Sequence, residues 1–372
     1  MASTIWLTDR SRLYTGLGRC ARERYLRYHS GPTGYGIVHK SESLPLATGG
    51  TVHTALEAIF RHLAATDTYP TVDLIRGAIL EANSAYLARV EDRGFRGLLQ
   101  SQRSEDVVQE QMTLVAGMVW GFCRTILPWI HTEFRILQAE EESIYVLGCT
   151  CGLSPVAPVG DHEARDCAGV GQMVKQDVIG MHRTRNTLAY FETKTPGFAV
   201  DVWASQWETK PQLPLGSLGI AEKFGQEVEE FYIVGLYKGR RMTTKDKAGV
   251  ESQRQDSPFT LGYLRPGNPP LAPDDWLPAY EWTDEQTGEV RRAGRAYQKT
   301  PISALEHSDW PEWLRAKQAD PALTPSEFWA AWLPQSVLTK QVFLVGPMLR
   351  NAAVVEKLKT QIIGEETRWQ AN

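Results

Sequence analysis

A chain of 372 residues with 42% hydrophobic content is long enough for one large core or two modest ones. Its formal net charge of −4 excludes a global basic excess, so any phosphate-binding surface has to be a local patch. No apolar run approaches the roughly 18–20 residues that span a bilayer, the first ten residues lack a signal-peptide layout, and five cysteines in so long a chain argue against a disulfide framework; the expectation is a cytoplasmic protein without a membrane partner.

From the N-terminus, Leu13 to Tyr28 carries a helical period, with Arg19, Arg22, Arg24 and Arg27 around Tyr25 and Tyr28. Gly49-Gly50 reads as a turn, followed by a helix over about 51–62. Further helices are predicted at about 72–89 and 105–126, the last ended by Pro128. The stretch from about 55 to 130 thus reads as all-helical. Strand-like segments follow at 136–137, 144–147, 171–182 and 188–191. A helix is predicted over about 212–224, with Pro211 near its first turn and Gly225 just past its end. Phe231 to Tyr237 has the continuous apolar character of a buried strand. The helical crossover between the strand at 188–191 and the strand at 231–237 favours their parallel pairing. The pattern is an α/β core over residues 1–240. Residues 241–372 form an appended, mostly helical C-terminal region, with a hairpin turning at 284–288, a helix capped at Thr324-Pro325-Ser326-Glu327 and a last helix over about 347–363.

The chemistry-bearing pattern lies in the central strands. Asp177 sits mid-strand, and Glu192 and Lys194 end the next strand, two residues apart and so on one face. If the two strands pair, Asp177 reaches that face too. Two converging carboxylates bind a hard cation such as Mg²⁺ or Mn²⁺. Such an ion lowers the pKa of water and neutralises phosphate charge, while a lysine stabilises the developing negative charge. Phosphodiester hydrolysis needs these together. Glu208-Thr209-Lys210 repeats the Glu-x-Lys spacing, but no apolar strand precedes it. Separately, Cys149 and Cys151, with His162 and Cys167, offer three thiols and an imidazole in a Gly- and Pro-containing loop. That set suits structural Zn²⁺; reduced thiols in a hairpin insertion are the alternative.

Four further pieces stand in a fixed order around the acidic strands. They are Cys20 to Leu26, Gly50-Thr51-Val52-His53-Thr54-Ala55-Leu56-Glu57, the helical stretch after His53, and Gln212-Leu213. With Asp177, Glu192 and Lys194 they resemble the PD-(D/E)XK nuclease superfamily, especially its RecB-like exonuclease branch and the related CRISPR-associated nucleases. The likeness covers about residues 12 to 240. It implies a restriction-endonuclease-like core, a central mixed sheet flanked by helices, with the helical stretch of about 55–130 as a large insertion. It also implies a Mg²⁺- or Mn²⁺-dependent deoxyribonuclease, acting on DNA in recombination, repair or phage DNA processing, with a recombination or single-strand-binding protein as a possible partner. Carried over by motif, His53 joins Asp177 and Glu192 as metal ligands, with a contact from the Thr193 carbonyl. Glu140 lines the site, with Glu141 competing for that place, and Gln212 orients Lys194 or contacts DNA. Gln176 stands where the family has Pro, and Gly216 where the Gln-x-x-x-Tyr motif has Tyr. No cysteine lies beyond Cys167, so the resemblance implies no iron–sulfur cluster. The alternative is a catalytically silent DNA-binding or assembly module on the same scaffold.

Overall fold

The computed structural model describes residues 5–9, 41–93, 95–96, 104–151, 169–197, 203–204, 207, 212–245, 249, 251–257, 259, 276–277, 280–283, 290–293, 300–301 and 335–370. The predicted helices at 13–28 and after Thr324 lie outside these residues, as do His162 and Cys167.

In chain order the main elements are β1 (Ile5–Asp9), α1 (Leu44–Thr66), α2 (Val72–Arg93), α3 (Ser104–Thr125), α4 (Leu127–Glu133), β2 (Phe134–Cys149), β3 (Gly169–His182), β4 (Leu188–Lys194), α5 (Gln212–Gly216), α6 (Ile220–Phe224), β5 (Val228–Leu236), β6 (Arg240–Lys245), β7 (Glu251–Asp256), α7 (Gln335–Gln341), β8 (Val342–Leu349) and α8 (Ala352–Gln370). The architecture is α/β. A six-stranded mixed sheet runs β1-β3-β4-β5-β8, with β2 on the other side of β3. β2 and β3 are long antiparallel partners, β4 and β5 are parallel as the crossover predicted, and β8 closes the sheet antiparallel to β5. Helices cover both faces. One core joins α1–α4 to Val178, Ala189, Phe191, Tyr232 and Val234. The opposite face buries Ile179, Tyr190, Phe231 and Ile233 with α5 and α6, and Val170 and Val174 with Val355 and Ile362 of α8.

Several boundaries differ from the sequence pattern, each for a local reason. Gly49-Gly50 is not a turn: α1 begins at Leu44, behind Pro45 in its first turn, and runs through both glycines. A Cβ on Gly49 would lie 2.9 Å from Thr195 Oγ1, so glycine here lets the helix approach the end of β4. The helix stops where Asp67 turns left-handed (φ 52°) and returns its N–H to the Leu63 carbonyl. The two apolar patches at 136–137 and 144–147 belong to a single strand, β2, held together by its pairing with β3. The predicted helix over 212–224 is broken in two by Gly219, whose φ is 79°. The predicted last helix begins later, at Ala352, because Val342–Leu349 pairs with β5 as a strand. The C-terminal region thus supplies an edge strand to the central sheet as well as helices. The hairpin expected at 284–288 forms between Tyr280–Thr283 and Val290–Ala293.

Among the described residues no single helix is long and apolar enough to cross a membrane. The bent pair Val107–Thr125 and Leu127–Glu133 has the length and composition. Of its apolar side chains, Leu114, Val115, Met118 and Phe122 are fully buried in the helical core.

Candidate metal centre

The site lies where the sheet forks. β3 pairs with β4 only through Val178–Met181, and with β1 only through Gly169–Met173. Between these stretches, residues 174–177 have no described strand partner on that side, and β3 and β4 part. Asp177 stands at the fork. There the backbone N–H of Thr193, no longer in the β3–β4 ladder, donates to Asp177 Oδ2 at 2.7 Å. A cleft of about 880 Å³ opens at this point, lined in part by Gly50, His53, Glu140, Lys175, Asp177 and Lys194.

Side chains of α1, β2, β3 and β4 converge on the cleft. α1 passes over the fork and carries His53 into it. His53 Nδ1 lies 2.9 Å from Glu140 Oε1 and 3.6 Å from Asp177 Oδ2. Ligand atoms of His53, Glu140 and Asp177 all lie within 4.8 Å of one another. Glu140 is brought in by an unusual backbone. Its φ is 49°, in the left-handed region that non-glycine residues seldom adopt. Side chains along β2 should alternate, yet Ala139 packs into the helical core and its neighbour Glu140 also meets α1 through His53. Glu141 then points away and pairs with Lys223 of α6. The left-handed residue therefore resets which face the strand's side chains take. Left-handed strain of this kind, of order 1–3 kcal/mol, often collects at functional sites.

β4 contributes Glu192 and Lys194 on one face, as alternation predicted. Lys194 Nζ donates to Glu192 Oε1 and, at 3.0 Å, to the Thr193 carbonyl. The other carboxylate oxygen, Glu192 Oε2, accepts from the Tyr190 hydroxyl. Glu192 thus sits beside the three-residue group, held by Tyr190 and Lys194, and the Thr193 carbonyl is engaged by Lys194. Gln212 opens α5. Glu57 lines the cleft one turn beyond His53 and pairs with Arg61.

Electrostatics mark Asp177 out. Burial, reinforced by the Glu192 charge, pushes its pKa up from 3.8 to about 7, against the pull of His53 and Lys194. Burial works against a charged His53, but Asp177 and Glu140 outweigh it and hold the imidazole above its ordinary value. Glu140 is likewise desolvated, yet its contacts with His53 and with Lys175, 2.8 Å away, keep it below the usual carboxylate range. Two carboxylates and an imidazole are a hard, mixed oxygen–nitrogen donor set. It fits a divalent cation of the Mg²⁺ or Mn²⁺ class, and the nitrogen leans it toward Mn²⁺. An added dication would also relieve the buried charge that Asp177 holds at such cost. The fit therefore rests on donor chemistry and on an electrostatic deficit.

Of the residues predicted from sequence, His53, Glu140 and Asp177 come together directly, with Glu192, Thr193 and Lys194 alongside. Two residues were missed. Lys175 stands two positions before Asp177, and Tyr190 two before Glu192. The alternation that paired Glu192 with Lys194 carried the signal for both. Of the proposed zinc set, the sulfurs of Cys149 and Cys151 lie 3.3 Å apart.

No protein-family model matches this chain, and a search of curated proteins also returns no match.

Proposed function

We propose that this chain is a divalent-metal-dependent DNA nuclease of the PD-(D/E)XK superfamily, within its RecB-like branch. The observation that carries the reading is the convergence of His53, Glu140 and Asp177, from three segments distant in sequence, with Lys194 beside them. His53, Glu140 and Asp177 would hold the cation, with Glu192 at their side. When bound, Mg²⁺ or Mn²⁺ supplies Lewis-acid polarisation of a phosphate and draws down the pKa of water. The chain's own residues do the rest. Lys194, steadied by Glu192 and the Thr193 carbonyl, keeps a positive charge where negative charge builds on the phosphate. Thr193 N–H fixes Asp177 Oδ2, and Lys175 holds the outer oxygen of Glu140, so the ligand oxygens are ordered in advance. A fork-shaped cleft between strand ends and α1 admits an extended phosphodiester chain to these groups.

The test uses end-labelled linear DNA with Mg²⁺ or Mn²⁺ and compares wild type with Asp177→Ala and Lys194→Ala. Cleavage by wild type and its loss in both variants is the expected result. Equal degradation by all three overturns the reading. Binding of DNA without cleavage under either metal would favour the silent module instead.

A further inference from the structure

We infer that Tyr190 is a positioning residue that fixes Glu192, and through it Lys194, and that Gly216 exists as glycine to make room for it. This rests on the nuclease reading above. Tyr190 is 1% exposed, and its ring lies in the apolar core between the sheet and α5. Tyr190 also lines the cleft, and its hydroxyl donates to Glu192 Oε2. Lys194 Nζ takes the other oxygen, Oε1. Tyr190, Glu192 and Lys194 share one face of β4, spaced by two residues, so the strand itself presents the chain of contacts. Opposite the phenol stands α5. A Cβ on Gly216 would meet the Tyr190 hydroxyl oxygen at 2.7 Å, Cε1 at 2.8 Å and Cζ at 2.9 Å. Gly216 has no left-handed backbone that would require glycine. The close approach of the phenol is the physical reason for a residue without a side chain there.

The consequence is a division of labour between the carboxylates. With both oxygens engaged, Glu192 holds Lys194 and stays beside the metal group of His53, Glu140 and Asp177. Removing the phenolic hydroxyl takes away one of the contacts that hold Glu192 in place. A bound cation would then draw the carboxylate toward it, and Lys194 would be left with the Thr193 carbonyl in place of its contact with Glu192. A lost hydrogen bond to a charged group of this kind is worth roughly a tenfold change or more.

Tyr190→Phe keeps the ring and its packing. Its expected result is a kcat about tenfold lower, an unchanged KM for DNA, and Mn²⁺ bound more tightly than by wild type, read by titration calorimetry and electron paramagnetic resonance. Gly216→Ala displaces the hydroxyl from the other side and should move the same quantities in the same direction. In a Glu192→Gln background, Tyr190→Phe should change Mn²⁺ affinity no further. Unchanged kcat and Mn²⁺ affinity in Tyr190→Phe overturns the inference, as does Mn²⁺ affinity that falls together with the melting temperature, because that pattern marks loss of packing alone. If wild type binds Mn²⁺ but cleaves no DNA, the nuclease reading fails and Tyr190 is judged on the affinity shift. If wild type binds no Mn²⁺, both fall.

Discussion

Glu110 of α3 is 4% exposed and Asp177 of β3 is 7% exposed, so both acids have left water. Glu110 is answered by a dedicated guanidinium: Arg241 Nη1 lies 2.8 Å from its Oε2, and the Gln255 N–H donates to Oε1 at 2.6 Å. Glu230 is treated the same way, with Arg185 spanning both of its oxygens. Among the described residues no arginine pairs with Asp177. It receives one backbone N–H and an imidazole 3.6 Å away, and Glu192 lies near enough to raise its pKa. A planar fork matches a carboxylate and closes its account permanently. The difference teaches what each acid is for. Glu110 and Glu230 tie elements together, whereas Asp177, with His53 and Lys194 near it, has no guanidinium spanning its oxygens among the described residues, which leaves it able to take a cation.

The most severe way to break this contrast is Asp177→Asn. The neutral amide keeps the shape and removes the ligand charge. Nuclease turnover should fall by roughly a thousandfold or more, and Mn²⁺ binding should disappear in calorimetry. The same change should raise the stability of the metal-free protein, by about 0.5–2 kcal/mol, because sites tuned for function are seldom tuned for stability. A variant that loses activity and stability together would place Asp177 with Glu110 as a structural acid.

Arg241→Met attacks the other side of the comparison. It strands Glu110 in the interior without its guanidinium, which should cost about 3 kcal/mol of folding stability in urea denaturation. Mn²⁺ affinity of the folded fraction should not change. A parallel loss of Mn²⁺ affinity would mean that the two clusters are coupled and that the contrast is too sharply drawn.

Acidity provides a finer test. The folded pKa of Asp177, about 7, lies above its ordinary 3.8. Between those values the folded chain holds a proton that the unfolded chain has released. Metal-free stability should therefore decline as pH rises through this window. Mn²⁺ works in the opposite sense, since Asp177 and His53 must both give up protons to bind it. The rise in melting temperature caused by Mn²⁺ should be larger at pH 8 than at pH 6. An equal rise at both would remove Asp177 from the ligand set.

How far the site was legible depends on which physical rule positions each residue. Asp177, Glu192 and Lys194 follow strand alternation, and the parallel pairing of β4 with β5 follows from the crossover helices between them. Those parts could be read along the chain. His53 reaches the fork from α1, a distance in sequence that no local period spans, and only its likeness to a motif drew attention to it. The integrity of β2 was hidden because its middle, Gln138 to Glu142, is polar, and a polar run splits an apolar pattern. β8 was hidden by Pro347, which signals a helix start on the page but sits inside a strand on the edge of the sheet, where a missing N–H is tolerated.

The choice between Glu140 and Glu141 is where local rules fail outright, and it yields the subtlest prediction. Ala139 packs under the helices. Strict alternation would then turn Glu141 toward the same side and send Glu140 away. The left-handed backbone at Glu140 reverses this, at φ 49°, and nothing in a Glu-Glu-Glu run announces it. Glu140 is bound by His53 and Lys175, while Glu141, about half exposed, pairs with Lys223 on the far side of the sheet. Glu140→Gln should weaken Mn²⁺ binding by about ten- to a hundredfold. Glu141→Gln should leave Mn²⁺ affinity within about twofold and cost under about 1 kcal/mol, the value of an exposed ion pair. Equal losses in the two variants would mean that β2 alternates regularly in solution and that Glu140 does not hold the left-handed conformation on which its place in the metal group depends.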